Sequence, residues 1–347
     1  MKTINIFLLV FLAGCLGNKK SDSVSGNFSI DSVGGNLEIR YEDKHLTTLN
    51  LADSPYKPFF WPVNTLNGIS VTRGYPFKPV KGEPVDHPHQ TGIWFNYGDI
   101  NKLDFWNNSN AIPTERKQNY GRIEADSFKI LKNNSPAVAF ELYSSWRNNQ
   151  GVKLISEKTI YTLETFDSSW ALTRNTYLIA DTLVRFGDNK EGLFAIRLAR
   201  EFQFDTGKAD YLVDDDGTAS GEKKIMDEGK NGMYFGSNGT KGNDTWATSN
   251  EWVQITTFKD GDSVSVIMMD HPGNIGFPAL WHARNYGLFS VNNLGRKAYR
   301  PELPEFNMEL KKAEALNLKH KIIIRDGGSF RKEEIEKQIS AFHSLDK

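Results

Sequence analysis

Val138-Ala139-Phe140-Glu141-Leu142-Tyr143 alternates between two faces, and the loop Arg147-Asn148-Asn149-Gln150-Gly151 separates it from a second alternating run. A period of two marks a half-buried strand, and a short polar loop between two such runs makes a hairpin. The same pattern extends in both directions along the chain. Leu37-Glu38-Ile39-Arg40-Tyr41 alternates, and Trp170, Leu172 and Leu178 share one parity. Val264, Val266 and Met268 stand against Ser263 and Ser265, as Leu318, Ile322 and Ile324 stand against Lys319, Lys321 and Arg325. Gly, Asn, Asp and Pro fill the connections, as in Asn133-Asn134-Ser135-Pro136 and Lys259-Asp260-Gly261-Asp262. Only the C-terminal end is patterned as a helix, with Ser329 as its expected cap and Ile335, Ile339 and Phe342 on one face. The expected fold is all-β: a large antiparallel β-sandwich with a short C-terminal helix. No linker-like change of composition interrupts residues 27–347, which are expected to form a single β-sandwich domain.

A chain of 347 residues can bury an ample core without disulfides. Lys and Arg number 42 against 43 Asp and Glu, so there is no basic excess for nucleic acid. The 22 Phe, 12 Tyr and 8 Trp favour strands and leave flat rings for stacking on a ligand. The single cysteine is Cys15. Residues 1–14 read as a lipoprotein signal peptide: Lys2, an apolar run from Ile4 to Leu12, then Leu12-Ala13-Gly14-Cys15. That ending resembles the bacterial lipobox, whose cysteine is lipidated and becomes the first mature residue. The apolar run is too short to span a bilayer. Residues 15–26 read as a flexible tether. The expected location is the cell envelope, lipid-anchored and facing the periplasm or cell surface, with the membrane met through the anchor only. Thiol catalysis, Cys-zinc sites and disulfides are then excluded together.

Three stretches carry chemistry. The first is Asp86-His87-Pro88-His89-Gln90-Thr91-Gly92-Ile93-Trp94-Phe95, running on to Asp104-Phe105-Trp106. In an extended segment His87 and His89 would share a face, and Asp86 could hold the His87 tautomer. Ile93-Trp94-Phe95 reads as a buried strand ending in a Gly98 turn. The second is Asp270-His271-Pro272 with Trp281-His282-Ala283-Arg284-Asn285-Tyr286-Gly287 downstream. In the third, Lys190 to Ala199, Phe194, Ile196 and Leu198 fall on one face while Glu191 and Arg197 fall on the other. A buried carboxylate and guanidinium are costly unless paired or used. The plainer alternatives are a core aromatic strand with two surface histidines, and a salt bridge at the rim. His87 and His89 could bind a divalent metal with a carboxylate such as Glu191, although His-x-His alone does not specify one. No other cofactor is expected. Gly-x-Ser-x-Gly, a dinucleotide fingerprint and His-Glu-x-x-His are all absent, which removes support for esterase, Rossmann oxidoreductase and zincin readings.

Taken together, Asp86-His87-Pro88-His89, Gly92-Ile93-Trp94-Phe95, Asp104-Phe105-Trp106, Lys190 to Arg197 and Trp281-His282-Ala283-Arg284 with Tyr286 to Phe289 resemble the PmoA-like family. These are bacterial proteins of unassigned function, common in glycan-degrading bacteria. The resemblance covers roughly residues 35–330, and departs at Gln90-Thr91, where His-Arg is the commoner pair. It implies the two-sheet supersandwich of galactose-mutarotase-like proteins. The methane-oxygenase label does not carry over, because a membrane monooxygenase subunit needs several apolar spans of about twenty residues. After the signal peptide this chain has none.

Two functional classes stand open. One is a carbohydrate-active enzyme that cleaves glycosides or isomerises sugars. His87, His89 and His282 would carry protons, and Glu191 and Asp270 would act as base or nucleophile. Arg197 and Arg284 would hold hydroxyls or an anionic group, with Trp94, Trp106, Trp281 and Tyr286 against the sugar ring. The other is a non-catalytic lipoprotein that binds a sugar or oligosaccharide with the same aromatics. Titratable groups in number favour the enzyme. Convergence of His87, His89, Glu191, Arg197, Asp270, His282 and Arg284 on one cleft is the geometric expectation.

Overall fold

A computed structural model describes residues 26–52, 56–204 and 207–345. The signal-peptide reading, Cys15 and nearly all of the tether lie outside the described residues. The alternating runs become strands of two eight-stranded antiparallel sheets. In spatial order the first sheet contains Phe28–Val33, Asn36–Tyr41, Lys44–Asn50, Phe59–Val63, Ile93–Tyr97, Gly192–Arg197, Leu288–Asn292 and Leu280–Trp281. The second contains Met233–Gly236, Trp252–Lys259, Asp262–Asp270, Ala315–Asp326, Ser169–Ala180, Lys153–Phe166, Ala137–Arg147 and Arg122–Lys132. Val184–Phe186 and Met308–Leu310 pair separately. The hairpin expected at Arg147 to Gly151 joins two strands that pair from Val138↔Leu163 to Trp146↔Ile155.

The sheets pack face to face, and their inner rings interlock. Phe60 meets Tyr161 at 5.2 Å, Phe95 meets Trp146 at 6.0 Å, and Phe194 stacks on His320 at 5.7 Å. Each such side chain contributes about 1.5–3 kcal/mol by leaving water. Within this core Arg174 pairs with Glu157 at 2.6 Å and lies 3.5 Å from the Phe95 ring centroid. Because side chains alternate, Phe95, Phe194 and Ile196 point inward and Trp94, Ala195 and Arg197 point to the outer face of the first sheet. That outer face is where the loops converge.

The helix runs over Lys332–His343 with Arg331, not Ser329, at its N-cap. Glu334 accepts the Arg331 backbone N–H at 2.8 Å, closing the first turn from within. Ser329 instead bonds the Thr256 hydroxyl at 3.1 Å. Ile335 and Phe342 are buried, and Ile339 is partly so, against Ile267, Met269 and Ile323 on the outside of the second sheet.

Candidate active site

Residues 86–91 lie on the long connection between the strands Phe59–Val63 and Ile93–Tyr97. They form a turn rather than the extended segment the spacing allowed. His87 sits at φ 43°, and the Gln90 N–H donates to its carbonyl at 3.0 Å. The cause is Arg73, which the sequence reading missed. Its guanidinium donates to the carbonyls of Pro84 (3.2 Å), Asp86 (2.9 Å), His87 (3.0 Å) and Gln90 (3.2 Å), so the loop wraps around one buried cation. The His87 and His89 rings therefore meet edge to face, 5.6 Å apart, and line two different cavities.

Asp86 joins the elements. Its Oδ1 accepts from Arg73 at 2.6 Å and from Arg197 at 2.7 Å, and its Oδ2 faces His87 Nδ1 at 2.5 Å. Arg197 also donates to the Gln90 side-chain oxygen. Both guanidinium side chains are 1% exposed or less. Burial alone would raise the Asp86 carboxyl, but Arg197, the His87 hydrogen bond and Arg73 together hold it well below the usual carboxylate range. The carboxylate thus stays ionised and orients His87. With Nδ1 engaged, Nε2 is the ring nitrogen left for the cleft, and the side chain is 42% exposed. The imidazole stacks parallel on Tyr286 at 5.4 Å, and Arg197 lies 4.9 Å from the same ring. The cleft beside them, about 340 Å³, is also lined by Gln203, Lys208, Asp210, Lys224, Lys230 and Arg284.

The second cavity, about 290 Å³, has His89, Lys57, Phe77 and Asn108 in its wall. Burial, then the Lys57 charge, pushes the His89 imidazole well below its ordinary value. Its buried Nε2 has no hydrogen-bond partner among the described residues. Lys57 was another residue the sequence did not flag. Its ammonium donates to the His89 carbonyl at 2.6 Å and sits 5.5 Å from the Trp94 ring. Burial pulls it down to about 7 against the opposing charge of Asp104.

The remaining expected site residues do not join this cluster. His282 Nδ1 lies 3.7 Å from Glu191 Oε2, and burial, then Lys190, lowers His282 to about 3. Neither side chain lines the two cavities. Arg197, whose partner by strand parity was Glu191, pairs with Asp86 instead. Asp270 is fully buried at the end of its strand. It accepts from Asn274 (2.7 Å), Ala279 N (2.9 Å), His271 N (3.0 Å) and Asn293 (3.0 Å), which corrects its assignment as a base or nucleophile. Burial raises its carboxyl to about 6, against those hydrogen bonds. Trp94, Trp106 and Trp281 are 2%, 0% and 0% exposed, so they pack the interior and present no face to a sugar. Tyr286, the fourth aromatic expected there, does line the cleft of about 340 Å³. Among the described residues no group of three His, Cys, Asp or Glu converges where a metal could sit, which leaves the His87/His89/Glu191 set unassembled. No described helix is long and apolar enough to cross a membrane.

Solved structures similar to this chain include a GH36 α-galactosidase from Geobacillus stearothermophilus, with 10% identity and a TM-score of 0.43, over 86% of this chain and 41% of that one. A galactose 1-epimerase from Lactobacillus acidophilus has 9% identity and a TM-score of 0.36, over 88% and 100%. A galactose mutarotase-like protein from Clostridium acetobutylicum has 10% identity and a TM-score of 0.35, over 87% and 99%. The chain spans about two fifths of the length of the α-galactosidases it matches. No curated protein matches it. A family model matches residues 36–340, which include every motif described above except the N-terminal one, and the chain therefore belongs to the family of unknown function DUF6807.

Proposed function

We propose that this protein is a carbohydrate-processing enzyme that uses His87 as its general acid–base group. The observation that carries the reading is the Asp86-anchored, half-exposed imidazole at the cleft. A carboxylate kept ionised by two arginines fixes the ring's orientation through Nδ1 and leaves Nε2 to exchange a proton with the ligand. Gln203, Lys208, Asp210 and Arg284 supply donors and acceptors in the density that a polyhydroxylated ligand needs. A volume of about 340 Å³ falls within the range of small-molecule sites. The resemblance to the PmoA-like family, common in glycan-degrading bacteria, supports the same substrate class. Glycoside cleavage and sugar isomerisation both need such a proton carrier. We place the protein in the cell envelope, anchored through Cys15, where oligosaccharides would reach it.

The test is incubation of the purified full chain with a panel of oligosaccharides, with product followed by chromatography. Turnover that the His87→Gln variant loses while remaining folded supports the reading. Binding without product on every ligand, at high enzyme and long times, would favour a non-catalytic carbohydrate-binding protein.

A further inference from the structure

Arg284 holds a guanidinium that lies over two aromatic rings and has no ion-pair partner among the described residues. Its Cζ lies 5.4 Å from the Trp246 ring centroid and 5.6 Å from that of Tyr286. Among the described residues no carboxylate pairs with it and no acceptor takes a hydrogen bond from its side chain. The other cations around the cleft differ. Arg73 and Arg197 share Asp86, Lys224 is held by Asp214 at 2.9 Å, and Lys230 by Asp227 at 2.8 Å. Lys208 adds a further cationic side chain to the lining. Against these the wall offers Asp86, already shared by two arginines and His87, and Asp210.

An aromatic ring offers a cation no conventional hydrogen-bond acceptor, so a guanidinium held over such rings keeps its N–H donors for a ligand. That planar fork matches a carboxylate or another oxyanion in two-point fashion. The base of the side chain is fixed as well. Arg284 N donates to the Leu288 carbonyl at 2.8 Å, and its own carbonyl accepts the Gly287 N–H at 3.1 Å. Tyr286 is the element common to the two groups, since its ring contacts both Arg284 and His87.

We propose that the sugar taken by this cleft carries an oxyanion, either a uronate carboxylate or a sulfate ester, seated on Arg284 next to His87. The inference rests on the carbohydrate reading above and narrows it to acidic sugars. A neutral sugar would leave the guanidinium without a counter-charge, whereas an acidic one completes a site in which Arg73, Arg197, Lys224 and Lys230 are already paired with carboxylates.

The experiment is calorimetric titration of the full chain at low salt. The ligands are glucuronate-, galacturonate- and mannuronate-containing oligosaccharides, sulfated forms of the same backbones, and their neutral parents. At least one acidic ligand should bind about tenfold or more tightly than its neutral parent, the scale of one hydrogen-bonded charge pair. The uronate and sulfate arms tell which oxyanion is used. Arg284→Gln should abolish the preference and Arg284→Lys should restore part of it, with thermal unfolding reporting that each variant is folded. Should Arg284→Gln not fold, the wild-type preference and the Arg284→Lys titration still decide. Neutral parents binding as tightly as acidic ligands, or a preference that survives Arg284→Gln, overturns the inference and leaves the carbohydrate reading standing. No binding to any sugar overturns both.

Discussion

Arg197 lies 111 residues from Asp86 along the chain, yet its Nη2 is 2.7 Å from the Asp86 carboxylate. Through that contact the strand Gly192–Arg197 holds the loop that carries His87. Arg73 reaches the same oxygen from the other side, so one carboxylate compensates two buried guanidinium groups.

Asp86→Asn removes that compensation, leaving Arg197 buried without its paired carboxylate and Arg73 with only the charge of the nearby Glu83. Stability at neutral pH is expected to fall by about 3–5 kcal/mol, measured by chemical denaturation. Because the folded carboxyl is held below its ordinary value, its contribution is present above about pH 4 and is lost on further acidification. The gap between wild type and variant should therefore shrink as pH falls. A constant gap across acid pH would argue that the loop is held by something else.

His87→Gln separates chemistry from folding. The side chain is 42% exposed, so stability should change by less than about 1 kcal/mol. Turnover should drop by roughly 10²-fold or more, the scale of general acid–base catalysis. A large loss of melting temperature with specific activity intact would assign the ring a structural task.

Asp270→Ala should behave in the opposite way. It strands the donors of Asn274, Asn293, Ala279 and His271, each at about 1–3 kcal/mol when left unsatisfied in the interior. The melting temperature should fall steeply while ligand affinity per folded molecule is unchanged. Weakened ligand binding in the folded fraction would contradict this placement.

Lys57 gives a pH signature. Its folded value of about 7 lies below the ordinary 10.5, so between these values the unfolded chain holds a proton that the folded chain has released. Stability should then rise with pH across that window, by up to about 1.4 kcal/mol per pH unit from this group. Lys57→Met should flatten the rise, as read from denaturation curves at several pH values. An unchanged slope would mean that the ammonium stays charged in the fold.

Cys15→Ser should move the protein from the membrane fraction to the soluble fraction, since the proposed anchor is the acyl chain on that cysteine. Wild-type protein already released by osmotic shock would remove the lipoprotein proposal.

The fold class was legible in the sequence because side-chain alternation is local: six or seven residues suffice to reveal a strand, and turn residues reveal its end. The Asp86–His87 pair was legible for the same reason, being adjacent in the chain. Exposure was not. Arg197 marked the outer face of Gly192–Arg197, but Ile93–Tyr97 and Gly192–Arg197 are buried at every position, so that outer face is covered as well. Trp94 and Trp106 therefore looked available for a ligand, and the covering loops removed them from solvent. Arg73 and Lys57 were invisible because a lone cation acquires a role only from carbonyls and carboxylates brought to it by the fold. The pairing of Arg197 with Asp86 rather than Glu191, and the division of His87 from His89 between two cavities, follow from how a loop wraps one buried guanidinium. That is a matter of long-range packing, which no local periodicity records.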